Sequence, residues 1–250
     1  MSEPGRVVAH SEHGVGTITF SHPKGNSLPG SLLAQLADAV RKLGADSAAR
    51  VIVLRSDGKG AFCAGASFAE LKTISDVATG KKFFLGFADL MIAMIRCPKF
   101  IITRVQGKTV GGGVGILAAS DLVVATKDAA VRLSELAVGI GPFVVGPVIE
   151  KKIGLAAFSA LAVDAGWRDA EWAERHGLHS FVHETVDAVD ASVAALADRL
   201  AASNPDAMAR LKKVFWEGTE NWDALLSQRA ADSGELVLSE FARKAIAAFS

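Results

Sequence analysis

The sequence predicts an α/β fold in which parallel strands alternate with helices to about residue 185, followed by a purely helical region. Three observations carry this. Short, almost wholly apolar runs such as "RVIVLRS" and "FIITRV" read as strands buried on both faces, as in a parallel sheet. A glycine-rich loop and an apolar stretch at helical spacing follow these runs, the strand–loop–helix pattern of parallel sheets with right-handed crossovers. From Asp187 onward nearly every segment has helical periodicity.

In chain order, "VVAH" and "VGTITF" form a hairpin across "SEHG". Residues 29–43 form an amphipathic helix with Leu32, Leu33, Leu36, Ala39, Val40 and Leu43 at apolar spacing. The strand "RVIVLRS" leads through the loop "DGKGAFCAGAS" to a very apolar helix, "KKFFLGFADLMIAMI". The cycle repeats with strand "FIITRV", a glycine cluster, helix "GILAAS", strand "DLVVAT" and short strand "AVRLSE". "GPFVVGPVIEKKIG" is expected to be helical, entered through Pro142 near its first turn, and "LAAFSALAV" follows. A further helix runs from Asp169 as N-cap to Gly177 past its end, and "HSFVHE" is the last strand. The tail divides into four helical segments, broken near Asn204-Pro205, Gly218 and Gly234. Two regions result, a core of residues 1–186 and a helical region of residues 187–250.

Composition narrows the function. The 250 residues are 50% hydrophobic, enough for a sizeable core, and 27 Lys and Arg balance 27 Asp and Glu. Such a balance argues against a nucleic-acid or membrane-surface partner. No apolar stretch reaches the ~18 residues of a membrane span. The start "MSEPGRVVAH" does not read as a signal peptide, and two cysteines fit a reduced compartment. A cytoplasmic location is expected.

The segment "VGGGVGILAASD" (residues 110–121) is the densest glycine cluster. Gly113, Gly115 and Ala118 match a G-x-G-x-x-A dinucleotide fingerprint, with Glu135 about 20 residues on. Against that, "QGKTV" separates the glycines from the strand, and the next strand ends at Thr126, well short of Glu135. A phosphate loop fails because position 102, where its first glycine belongs, is Ile. Two readings stay open: close helix–sheet packing, or bare N–H groups at a helix start that stabilise developing negative charge. The second requires a partner donor on another strand-following glycine loop, and "GKGAFCAGASFAEL" is one.

Together, "AFCAGAS", "VQGKTVGGGVGILAASDLVVAT" and "LSELAVGIGP" resemble the crotonase (enoyl-CoA hydratase/isomerase) superfamily, and the likeness extends from "VGTITF" and "HPKGNSL" to "EFARK". The resemblance implies a crotonase-like core of repeated ββα units with a C-terminal helical region that serves trimerisation and as a lid. It also implies a homotrimer or dimer of trimers, and an acyl-CoA thioester as substrate, coenzyme A being part of that substrate and not a separate cofactor. Carried over by position, the backbone N–H groups of Ala66 and Gly112 become the donors to the thioester oxygen. Glu135 becomes the acid–base group. Lys24, Ala64 and Lys244 are implied to contact CoA, Lys244 from a neighbouring subunit, and Phe87, Pro142 and Phe143 to wall the acyl pocket. Ser67 stands where the family more often has Asp.

The family's hydratases use two glutamates, one of them two residues after the third glycine; here that position is Gly115. A dienoyl isomerase would need an acid about eight residues past Glu135, and that position is Phe143. One glutamate suffices to move a proton between two carbons, so double-bond isomerisation is the expected reaction. Hydration with Glu135 alone and acyl-CoA binding with little turnover are the alternatives. Cys63 reads as a small buried residue rather than a nucleophile, and His176, His179 and His183 as surface positions rather than metal ligands.

Overall fold

The computed structural model describes residues 5–248. Strands β1 (Arg6–Glu12) and β2 (Val15–Ser21) form an antiparallel hairpin. Its two-residue turn has positive φ at both His13 (50°) and Gly14 (82°), the handedness that matches strand twist. Helix α1 (Gly30–Ala45) follows, then β3 (Val51–Ser56), a short helix α2 (Phe68–Leu71) and the long α3 (Val77–Arg96). Helix α3 starts on a capping box between Asp76 and Thr79. Strands β4 (Ile101–Val105) and β5 (Thr109–Val110) lead into α4 (Gly112–Ala119), and β6 (Leu122–Thr126) and β7 (Val131–Arg132) into a single 3-10 turn at Leu136–Val138. Helices α5 (Gly146–Asp164) and α6 (Ala170–Arg175), with Asp169 capping the latter as expected, precede β8 (Phe181–His183).

The long strands make one sheet in the order β1-β2-β3-β4-β6-β8, parallel from β2 onward. The short ones make a second ladder: β5 pairs with β7, and single bridges join Leu28 to Ala66, Cys63 to Thr109 and Val131 to Arg168. Strands β2, β3, β4 and β6 are thus each followed by a short extended piece before the next helical segment, which is the repeated ββα plan. Of the second pieces, β7 falls within the short strand expected at "AVRLSE", whereas β5, at two residues, is too short to show alternation.

Strand β3 demonstrates the layering. Ile52 and Leu54 join the core under α1, α3 and α4, whereas Val51 and Val53 face Val189, Val193, Leu196 and Ala197 of α7 (Val186–Ala201). The C-terminal region therefore supplies the second face of the sheet. Its other helices are α8 (Pro205–Phe215), α9 (Trp222–Leu236) and α10 (Glu240–Ala248).

Several boundaries differ from the sequence expectation, among them the start of the long apolar helix, at Val77 rather than Lys81, and three bear on packing. Helix α4 starts at Gly112 rather than Gly115, because it is buried all round and its glycines leave no periodic stripe. Helix α5 starts at Gly146 with Pro147 in its first turn, so Pro142 lies in the irregular segment before it. Gly234 does not break a helix. It lies within α9 at the crossing with α3, where a Cβ on Gly80 would sit 2.7 Å from the Gly234 carbonyl oxygen, so the break falls after Leu236 instead.

Asp121, at the end of the glycine segment, accepts hydrogen bonds from the Ile101 N–H (2.7 Å) and the Lys212 ammonium (2.8 Å). Lys212 also donates to the Lys99 carbonyl at 2.9 Å, and its side chain is 2% exposed. Replacing Lys212 with Met strands a buried carboxylate and is expected to cost about 3–5 kcal/mol in denaturant unfolding, part of which Asp121→Asn in the same chain should restore. An unchanged midpoint would show that the pair contributes nothing.

Candidate active site

Glu135 sits between β7 and the 3-10 turn. Its carboxylate lies against Gly111, where a Cβ would come within 3.0 Å of Oε1. Gly111 has φ 56° and ψ −124°, a backbone conformation suited to glycine, so conformation and space both require a missing side chain there. Glu135 is half-buried as a residue, but that exposure overstates access to its acid group. Oε2 is cut off from solvent and has no hydrogen-bond partner among the described residues. Desolvation raises its pKa to about 7, against smaller opposing contributions from the Glu135 and Ser134 N–H groups. A base that must give its proton back near neutrality is suited by this value.

The two glycine loops meet beside it. Val110 donates its N–H to the Cys63 carbonyl at 2.9 Å, and a Cβ on Gly65 would lie 3.1 Å from the Val110 carbonyl oxygen. The N–H groups flanking Ala66 are engaged, Ser67 with the Leu28 carbonyl and Gly65 with Cys63 Sγ. Among the described residues the Ala66 N–H has no acceptor, nor does that of Gly112, the first residue of α4. A free N–H at a helix start, at the positive end of the helix dipole, is a ready donor for negative charge. Each glycine of the triplet has its own reason. Gly111 faces Glu135, a Cβ on Gly112 would be 2.1 Å from Phe87 Cε1, and one on Gly113 would be 2.7 Å from Cys63 Cβ.

Ala64, Ala66, Phe87, Gly112, Glu135, Pro142 and Phe143 all line one cavity of about 60 Å³. The remaining two expected contacts lie outside it. Lys24 is in the tight turn after β2, whose Gly25 carbonyl accepts the Ala64 N–H at 3.0 Å. Lys244 is exposed on α10 and pairs with Glu240. Helix α10 does reach the segment after Glu135, since a Cβ on Gly139 would be 2.5 Å from Phe241 Cδ1.

Gly115 is enclosed. A Cβ there would sit 2.6 Å from Val145 Cγ1 and 3.3 Å from Met91 Sδ, so Val145 and Met91 fill the space a side chain would need. Among the described residues, Glu135 is the sole titratable one lining the cavity.

Sequence reasoning missed three features. Asn26, with φ 58°, donates to the Asp57 (3.0 Å) and Ala61 (2.9 Å) carbonyls and so anchors the loop that carries Ala66; its Gly-Asn context was the available signal. Ser233 of α9 lines the cavity, and nothing in the sequence connects it to Glu135. His179 is not a surface residue: it is 1% exposed, and desolvation lowers its pKa to about 4 against a small pull from the Ala170 backbone. Leu178 and Ala173 pack to zero exposure around the helix end that carries it into the interior. Cys63 is buried, with its thiol pushed up to about 12 by desolvation, which leaves it unsuited to nucleophilic attack.

The enoyl-CoA hydratase/isomerase family profile matches residues 10–247. The chain belongs to that family. Among its relatives, the chain is 32% identical over 157 residues to a Mycobacterium tuberculosis protein named "(7aS)-7a-methyl-1,5-dioxo-2,3,5,6,7,7a-hexahydro-1H-indene-carboxyl-CoA hydrolase", covering 62% of this chain and 63% of that protein. The chain thus matches less than two thirds of that relative's length. It is 25% identical over 250 residues to a short-chain-enoyl-CoA hydratase of Clostridium acetobutylicum, covering 99% of this chain and 95% of the relative. Among solved structures, an enoyl-CoA hydratase from Mycobacterium avium superposes with a TM-score of 0.86 at 26% identity, covering 97% of this chain and 95% of that one. One from Bacillus halodurans, at 20% identity, shares the fold with a TM-score of 0.89 over 97% of this chain and 99% of its own. The family's fold is the one observed here. Among the described residues, no helix is long and apolar enough to cross a membrane.

Proposed function

We propose that this family member is an enoyl-CoA isomerase that shifts a double bond by carrying one proton on Glu135. The observation behind this reading is the single carboxylate: among the described residues Glu135 alone of those lining the cavity is titratable, and the space at Gly115 is occupied by Val145 and Met91.

With a 3-enoyl-CoA, the ionised Glu135 takes a proton from the carbon between the thioester and the double bond. The electron pair spreads onto the thioester oxygen, to which the Ala66 and Gly112 N–H groups donate. Protonated Glu135 then delivers the proton to the far carbon of the allylic system, and the double bond ends conjugated with the thioester. Nothing is added or lost. Loss of one such preorganised donor typically costs ~10²–10³ in rate, the scale of help expected from each N–H.

In this reading the CoA portion is held near Ala64 and Lys24, whose loops are joined through the Ala64–Gly25 hydrogen bond. Lys244 serves a neighbouring subunit of a homotrimer or dimer of trimers. Exposed apolar residues on α5, Leu155 (65%) and Val163 (72%), support an assembly, and the Phe241 contact at Gly139 supports a lid role for the C-terminal region.

Two incubations test the reaction. A 3-enoyl-CoA should gain the absorbance of a conjugated thioester, and kcat/KM should fall about tenfold per unit below pH 7 as Glu135 protonates. Rapid water addition to a 2-enoyl-CoA without isomerisation of the first substrate would instead support hydration by Glu135 alone, the reading favoured by the hydratase names of relatives. Saturable binding with neither reaction would leave an acyl-CoA-binding protein.

A further inference from the structure

We infer that Ser233 determines acyl specificity in this cavity. It selects CoA thioesters whose acyl group carries an oxygen, as a keto or hydroxyl group, beyond the reacting carbons, over plain hydrocarbon chains. The inference rests on the acyl-CoA reading above.

Ser233 lies on α9, is 1% exposed and lines the same cavity as Glu135. A helical serine at a buried position ordinarily satisfies its hydroxyl on a carbonyl three or four residues back. Ser120 does so with Ile116, Ser159 with Ala156 and Ser203 with Arg199. The Ser233 hydroxyl has no such bond, nor any other partner among the described residues. Its Oγ is not sealed off as Glu135 Oε2 is; it keeps contact with the cavity space, where an oxygen brought by the ligand can pair with it.

The backbone keeps it there. A Cβ on the neighbouring Gly234 would be 2.4 Å from the Lys81 amide nitrogen, so α9 and α3 already touch and Ser233 is held in place. It enters from the α3–α9 wall, whereas Glu135 packs on Gly111, so the two polar groups address different parts of a ligand.

The test compares short acyl-CoA pairs of equal length, with and without a terminal keto oxygen. Dissociation constants of unreactive saturated pairs are measured by calorimetry, and kcat/KM is measured on the corresponding 3-enoyl pairs. Wild type should favour the oxygenated member at least tenfold in binding. Ser233→Ala should erase that preference, and Ser233→Cys, close in shape but a weak hydrogen-bonder, should reduce it in the same direction. Equal binding of both members by wild type, or an equal loss for both in the variants, would overturn the assignment. The binding arm does not depend on turnover, so a retained preference without isomerisation would remove the isomerase reading and leave Ser233 in its role.

Discussion

Glu135→Gln should lose turnover by ~10³-fold or more while gaining stability at alkaline pH. The rate loss follows, on the proposed mechanism, from removing the one titratable group that lines the cavity among the described residues. The stability gain follows from linkage. In the unfolded chain this carboxyl titrates near 4.5, and in the folded protein near 7. Folding is therefore helped by protonation. The contribution is fully present below pH 4.5 and is lost as pH rises toward 7, above which the native state holds an unpaired buried charge. A neutral amide escapes that loss. At pH 8 the variant should unfold at higher denaturant by an amount on the order of 2 kcal/mol, and the difference should vanish below pH 4.5. Acyl-CoA affinity should be nearly unchanged. A variant that kept its rate would remove Glu135 from the mechanism, and one without the pH-dependent gain would show that its burial costs little.

Gly115→Glu, which supplies the missing hydratase carboxylate by sequence, is expected to damage the fold rather than change the reaction. The new Cβ would lie 2.6 Å from Val145 Cγ1 and 2.9 Å from its Cβ. Val145 is β-branched and stiff, and α4 is buried on every side, so the clash has no cheap outlet. Overpacking and an unpaired buried carboxylate together should cost at least about 3 kcal/mol, seen as a lower Tm. Adding Val145→Ala opens space and should recover part of the loss. If water addition to a 2-enoyl-CoA then emerges in the double variant, the lost carboxylate is what separates this chain from a hydratase. A single variant as stable as wild type would contradict the packing described for this position.

Much of the site was legible because its parts obey local rules. The strand "RVIVLRS" announced a two-faced strand, and β3 buries Ile52 and Leu54 on one side and Val51 and Val53 on the other. The glycines announced bare backbone, and three consecutive ones prove necessary for three separate neighbours: Glu135, Phe87 and Cys63. Residues without a local pattern were not legible. The two-residue strand β5 is defined by its pairing with β7, and the start of α4 was hidden because glycine carries no periodic signal. Gly234 read as a helix breaker because glycine disfavours helices in isolation, yet the contact with Gly80 makes it a requirement of helix packing.

By itself, then, the sequence determined the α/β alternation, the helical tail and the strand-following glycine loops, and it marked Glu135 as the candidate acid–base group. These depend on periodicity, backbone freedom and residue chemistry within short stretches. Only the tertiary structure decided that Glu135 is shielded enough to titrate near 7 and that Val145 and Met91 occupy the space beside Gly115. It also decided that a serine from the ninth helix completes the cavity and that His179 is buried. Desolvation and steric exclusion are properties of neighbours distant in the chain, and no local pattern of residues encodes them.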